Sequence, residues 1–127
     1  MKHTESRIQQ ACVKIFASLW PHYYDQGLFI AIPNGGGRSR IEASILKGEG
    51  VRAGVADTFL FVPSGKYHGL AIEFKCEYTD PNGKTKRTYQ RKEQKDWQAA
   101  IENQGYRYEV CRSSEDFVRI VNSYLHP

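Results

Sequence analysis

The chain has 127 residues, 40% of them hydrophobic and 13% aromatic, with a net charge of +4. Such a chain holds one compact domain, expected to span residues 1–127, and it is too apolar for global disorder; no apolar run reaches the roughly 18–20 residues of a membrane helix. The three cysteines, Cys12, Cys76 and Cys111, are odd in number, far apart and form no CxxC pair, which excludes a disulfide framework or a cysteine-rich zinc site and leaves small apolar residues in or near the core.

Residues 5–19 form the first expected helix, because Ile8, Cys12, Ile15, Phe16 and Leu19 share one stripe at spacings of three and four. Thr4 is placed to cap it and Pro21 to end it. Residues 28–32 (LFIAI) read as a short strand. The segment Pro33-Asn34-Gly35-Gly36-Gly37 follows as a loop of unusual backbone freedom. A short helix is expected over 39–47, closed by Gly48.

Residues 56–62 (ADTFLFV) and 69–76 (GLAIEFKC) are the clearest strands. Pro63 to His68 between them, with Ser64-Gly65, can turn the chain into a hairpin. Residues 77–87 are polar around Pro81-Asn82-Gly83 and read as an exposed loop or an extended hairpin tip. A helix follows over 89–104, ended by Gly105, then a strand over 106–111 (YRYEVC). Ser113 with Asp116 resembles a capping box opening a last helix, to about Leu125. The order α, β, α, β, β, α, β, α predicts an α/β fold with a mixed sheet flanked by helices. The opening residues, MKHTESRIQQ, contain no apolar signal segment, so a cytoplasmic protein is expected.

A basic chain, with pI near 9.0, favours an anionic partner, and the distribution of charge narrows the choice. Residues 84–95 (KTKRTYQRKEQK) hold Lys84, Lys86, Arg87, Arg91, Lys92 and Lys95 against the single acid Glu93. Arg38 and Arg40 form a second cluster beside the glycine run. Two basic clusters flanking one set of charged strand residues point to a phosphate backbone.

Those strand residues are Asp57, Glu73 and Lys75. Alternation puts Glu73 and Lys75 on one face of their strand and Ile72 and Phe74 on the other. Charges inside an apolar run need a partner or a function. Pairing Val62 with Gly69 places Asp57 opposite Phe74, between the two charges, and a one-residue slip still leaves the groups adjacent. Two nearby carboxylates repel when both are ionised. A divalent cation relieves this, and oxygen donors suit Mg²⁺ or Mn²⁺. Glu5 lies on the core-facing stripe of the first helix, either at its solvent edge or aimed at the site. Gln90 and Gln94, four apart with Trp97 anchoring the helix, face the charged end of the sheet or are ordinary polar residues of a helix start.

Asp57 followed by Glu73-Phe74-Lys75 resembles the PD-(D/E)xK nuclease signature, which is loose by itself. Asn34-Gly35-Gly36, the run from Gly50 through Arg52 and Gly54 to Asp57, Gln94 three before Trp97, and Gly105-Tyr106 follow in order. Together they resemble the virus-type replication-repair nuclease (VRR-NUC) domain in its short stand-alone phage form, from Glu5 to about Val110. Ala56 departs from the pattern, standing where the signature often has proline.

The resemblance implies a restriction-endonuclease-like fold and metal-dependent hydrolysis of DNA phosphodiesters. It implies Asp57 and Glu73 as ligands of Mg²⁺ or Mn²⁺, joined by the Phe74 carbonyl. Lys75 would orient or help deprotonate water and stabilise charge on the phosphate. Glu5 would complete the acidic site, and Gln94 would support it. Contacts to nucleic acid are expected from Arg38, Arg40, Arg52, Lys84, Lys86, Arg87, Gln90 and Arg91. Branched DNA, cut in the manner of a Holliday-junction resolvase by a homodimer, is the expected substrate, inside the bacterial host cell if the protein is phage-encoded. A non-specific or flap-type DNA nuclease is the alternative, and three duller readings stand beside both: a structural Asp57–Lys75 salt bridge, a catalytically silent nucleic-acid-binding module, and a protein-interaction domain.

Overall fold

The computed structural model describes residues 2–33 and 39–127. Helix α1 (Lys2–Leu19) begins before its apolar stripe, so Thr4 lies inside the first turn rather than capping it. Cys12 and Phe16 are its fully buried residues. A short helix, α2 (Pro21–Asp25), follows with Pro21 at its first turn. The missing N–H of proline is harmless there, so the residue expected to end one helix also opens the next.

Strand β1 (Phe29–Ala31) leads to α3 (Arg40–Gly48), whose cap is Ser39: its hydroxyl accepts from the Glu42 N–H at 3.1 Å. Strands β2 (Thr58–Leu60) and β3 (Leu70–Phe74) come next, then a separate two-stranded sheet of β4 (Glu77–Thr79) and β5 (Thr85–Arg87). The polar segment 77–87 is thus the extended hairpin, not an irregular loop. Helix α4 (Lys92–Asn103), strand β6 (Arg107–Cys111) and helix α5 (Ser114–Leu125) complete the chain. The Ser113 hydroxyl accepts from the Asp116 N–H at 3.1 Å, as its spacing predicts.

The main sheet has the order β1-β2-β3-β6. The first three strands are antiparallel, and β6 runs parallel to β3. This is the mixed α/β sheet flanked by helices that the element order predicts. Strand β3 is buried at every position, as a central strand with a parallel neighbour should be. Leu70, Ile72 and Phe74 pack into a cluster with Cys12 and Phe16 of α1 and Phe117, Ile120 and Val121 of α5. Ala71 joins Phe59 and Tyr108 on the opposite face, against Trp97 and Ile101 of α4. Burying each such large apolar side chain contributes about 1.5–3 kcal/mol, so β3 is held on both sides.

The register differs from expectation by one residue. Thr58 pairs with Ile72 and Leu60 with Leu70, which brings Asp57 level with Glu73 rather than Phe74. Part of the connecting segment closes on itself through a Ser64–Tyr67 bridge that keeps the expected register, so the slip lies between that bridge and the β2–β3 pairs. All three cysteines are buried and free. Among the described residues, no helix is long and apolar enough to cross a membrane.

Candidate active site

The sheet and α4 place the charged residues. On β3, alternation sends Glu73 toward the face that α4 covers. Lys75 follows just past the strand, with its Nζ 3.6 Å from Glu73 Oε2. Both are almost fully buried, at 2% and 6% exposure. From the neighbouring chain segment, Asp57 Oδ2 accepts the Phe74 N–H at 2.7 Å. Its own carbonyl accepts from the Ile32 N–H at 2.8 Å. Asp57 is therefore fixed by the residue that follows β1 on one side and by β3 on the other.

Gln94 closes the site from the first turn of α4. Its Nε2 donates to Glu73 Oε2 at 2.9 Å and its Oε1 accepts from the Arg91 N–H at 2.9 Å. With both ends committed, the amide can present only its NH₂ to the glutamate. Burial orders it further, at 3% exposure.

The other Glu73 oxygen, Oε1, is buried and receives no hydrogen bond from the described residues. The group beside the Glu73 carboxyl is the carboxyl of Asp57, and such a pair makes a hydrogen bond only while one member holds a proton. The Glu73 carboxyl is accordingly pushed up to about 8, chiefly by burial and then by the Asp57 charge, with Lys75 opposing. Asp57 is also raised, first by burial, with the Phe74 N–H pulling the other way. The Glu5 charge pushes both carboxyls upward, so the half-buried Glu5 acts on the site as a field. Among the described residues, no three His, Cys, Asp or Glu side chains gather into a metal cage. What the site offers instead is two carboxyls and an orphaned buried oxygen that a proton or a cation would satisfy.

The remaining sequence-selected residues are more scattered. Gln90 precedes α4 instead of lying in it. Its Nε2 turns inward to the Tyr108 hydroxyl (3.1 Å) and Gln98 Oε1 (2.9 Å), not to the carboxylates. Arg40 opens α3 and Arg52 lies before Asp57, and both are exposed. Arg38 and the glycine run 35–37 lie outside the described residues. Lys84, Lys86, Arg87 and Arg91 are exposed along the hairpin and its approach to α4. Arg87 Nη2 is 2.7 Å from Glu77 Oε1, and Arg91 Nε is 3.5 Å from Glu93.

Two groups around the site, Tyr108 and Arg112, are not singled out from the sequence, and a third, Gly54, stands there only as part of a motif. Tyr108 is buried beside Trp97, with ring centroids 6.1 Å apart. Its hydroxyl is pushed upward by burial and by the Glu73 charge; alternation within YRYEVC places it on the Glu73 side. Arg112 donates to the Thr88 carbonyl at 2.9 Å and lies 5.4 Å over the exposed Tyr89 ring. Gly54 has φ of 89°, and a Cβ there would stand 2.8 Å from the Glu93 carbonyl. Its lack of a side chain lets the loop before Asp57 dock on the turn that carries Gln94.

The comparisons with known proteins bear on the family and the fold. The VRR-NUC domain family matches residues 3–115. A solved structure titled "VRR_NUC domain protein" shares the fold at a TM-score of 0.74 and 24% identity, over 96% of this chain and 88% of that one. No curated protein matches. With the family pattern covering most of its length and the acid pair, lysine and glutamine converging on one face of the sheet, the chain belongs to the VRR-NUC domain family, whose members are nucleases of the PD-(D/E)xK type.

Proposed function

We propose that this protein is a metal-dependent DNA endonuclease whose working site is Asp57, Glu73 and Lys75, selective for branched DNA and acting as a homodimer. The observation that carries the reading is the buried, unsatisfied Oε1 of Glu73 beside the Asp57 carboxyl. A buried acid pair is costly unless a proton or a cation compensates it. Hard oxygen donors suit Mg²⁺ or Mn²⁺. Asp57 and Glu73 would hold the ion, with the Phe74 carbonyl as a further ligand. When bound, it would lower the pKa of a water and act as a Lewis acid toward the phosphate.

The chain's own groups supply the rest. Lys75 brings a fixed positive charge to where negative charge grows on the phosphate, and it orients the attacking water. Gln94 holds Glu73 in one rotamer through its Nε2, so the carboxylate does not swing away as the proton leaves. Glu5 adds negative charge at the rim, favouring a cation and acting through water. Exposed Arg40 and Arg52, with Lys84, Lys86 and Arg91, are the backbone-binding groups, and Arg38 belongs with them by sequence, whereas Arg87 is turned to Glu77.

A salt bridge of purely structural purpose fits less well, because Lys75 approaches Glu73 rather than Asp57 and leaves one Glu73 oxygen without a donor. Branched DNA and the homodimer rest on a simpler argument: two symmetric cuts require two copies of a site this small.

The test is a cleavage assay with Mg²⁺ or Mn²⁺ on linear duplex, flap, fork and four-way junction, with Lys75→Ala as control. Cutting of branched forms, lost in the control, is the expected result. Equal cutting of linear duplex would remove the branched selectivity. No cutting of any substrate would leave only a binding module.

A further inference from the structure

We propose that the β4–β5 hairpin is a nucleic-acid arm with one working face, carried by Lys86, Tyr78 and the adjoining turn residue Lys84, and that Arg87 is not part of that face. The proposal rests on the nuclease reading and names the surface that would hold the substrate backbone.

The hairpin has no core of its own. Every residue of β5 is exposed, and on β4 Tyr78 alone is half-buried. A lone two-stranded hairpin is marginal in water, yet this one is tied at both ends. At its base the Thr88 hydroxyl accepts from the Cys76 N–H at 2.9 Å, the Thr88 N–H donates to the Cys76 carbonyl at 2.9 Å, and Arg112 grips the Thr88 carbonyl. At its tip, Asp80 Oδ1 accepts from the N–H groups of Asn82 and Lys84, both at 2.9 Å. The arm is thus fastened one residue beyond Lys75 and held in shape without burying apolar surface. Such construction fits a polar partner better than a hydrophobic one.

The two faces differ in charge. Cross-strand pairs are Glu77 with Arg87, Tyr78 with Lys86, and Thr79 with Thr85, so alternation puts Tyr78 and Lys86 together on one face. On the other, Arg87 Nε and Nη2 both reach Glu77 Oε1, at 2.8 and 2.7 Å. Its charge is already matched. Further along, Lys92 is likewise matched by Asp96 at 2.8 Å. Among the described residues, Lys84 and Lys86 form no ion pair. An ammonium without an internal partner, next to an aromatic ring, suits a phosphate with a sugar or base beside it.

The experiment measures binding of the full chain without divalent metal, by fluorescence anisotropy on a four-way junction and a linear duplex across a KCl series. Lys84→Ala/Lys86→Ala should weaken binding on the order of 10-fold per lost contact at 0.1 M salt and flatten the log K against log salt slope by about 2. Arg87→Ala should leave the slope unchanged. Tyr78→Ala should lower affinity without altering the slope. The arm is refuted if wild type binds in a salt-dependent way while the double variant binds identically, or if Arg87→Ala matches Lys86→Ala. It is also refuted if the double variant changes only the sedimentation of the free protein, which would make the arm a contact between copies. Wild type that binds neither DNA at low salt contradicts the nuclease reading itself, a separate outcome.

Discussion

Gln94 donates to the same Glu73 oxygen that Lys75 approaches, at 2.9 and 3.6 Å, and leaves the second Glu73 oxygen without a donor. The glutamate is thus held from one side and open on the other. Because the Gln94 oxygen is fixed by the Arg91 N–H, the amide cannot rotate to offer an acceptor. Replacing it with Ala should free Glu73 and reduce metal affinity or activity by roughly 10–100-fold, the usual effect of losing an orienting partner. Mn²⁺ titration and steady-state cleavage would measure it. Gln94→Ala activity within twofold of wild type contradicts the positioning role.

The pH dependence follows from the acid pair. Glu73 is pushed up to about 8 from an ordinary value near 4.5, so the folded chain holds this proton more tightly than the unfolded chain. The contribution to stability is fully present below about pH 4.5 and is lost as pH rises through about 8. Metal-free wild type should therefore melt on the order of 10 °C lower at pH 9 than at pH 5, relative to Glu73→Gln under the same conditions. Divalent-ion affinity should rise over the same window, since the ion displaces the proton. Parallel melting curves for the two proteins across pH would contradict the assignment.

Lys75 is expected to act in the chemical step rather than in binding. Lys75→Ala should lower kcat by roughly 100- to 1000-fold, as removal of one preorganised charge does. DNA affinity should fall less than tenfold, because exposed cations carry the backbone contacts. A variant that loses affinity and keeps kcat would move Lys75 into the binding surface.

Gly54 ties the loop before Asp57 to the turn bearing Gln94. Both its φ of 89° and the 2.8 Å approach to the Glu93 carbonyl oppose a side chain. Gly54→Ala should cost about 3 kcal/mol, whereas Gly27→Ala, at φ of 73° with nothing within 4 Å, should cost about 1 kcal/mol. Urea denaturation of both variants checks the difference, and equal costs would show that the close approach relaxes freely.

Much of this was legible in the amino-acid order. The stripe of Ile8, Cys12 and Phe16 and the alternation through LAIEFK located α1 and β3 because one buried face imposes a period on each. The same alternation put Glu73 and Lys75 together, and spacing put Gln94 above them. Other features depend on tertiary context. The one-residue slip of Asp57 arises between the Ser64–Tyr67 bridge and the β2–β3 pairs, a local geometry that residue types do not specify. Gln90 looked equivalent to Gln94 by periodicity, but α4 starts after it, and its amide found Tyr108 instead. Gly54 was visible within a motif, but its reason, a carbonyl of a distant helix, exists only once the chain is folded.

The acid pair of Asp57 and Glu73 is the proposed cation site, and calorimetric titration with Mn²⁺ tests it without requiring cleavage. Wild type should bind the ion, Asp57→Asn and Glu73→Gln should each weaken it at least 100-fold, and Lys75→Ala should retain it. Wild type that takes up no Mn²⁺ at millimolar concentration, or acid variants that bind as well as wild type, would contradict the site.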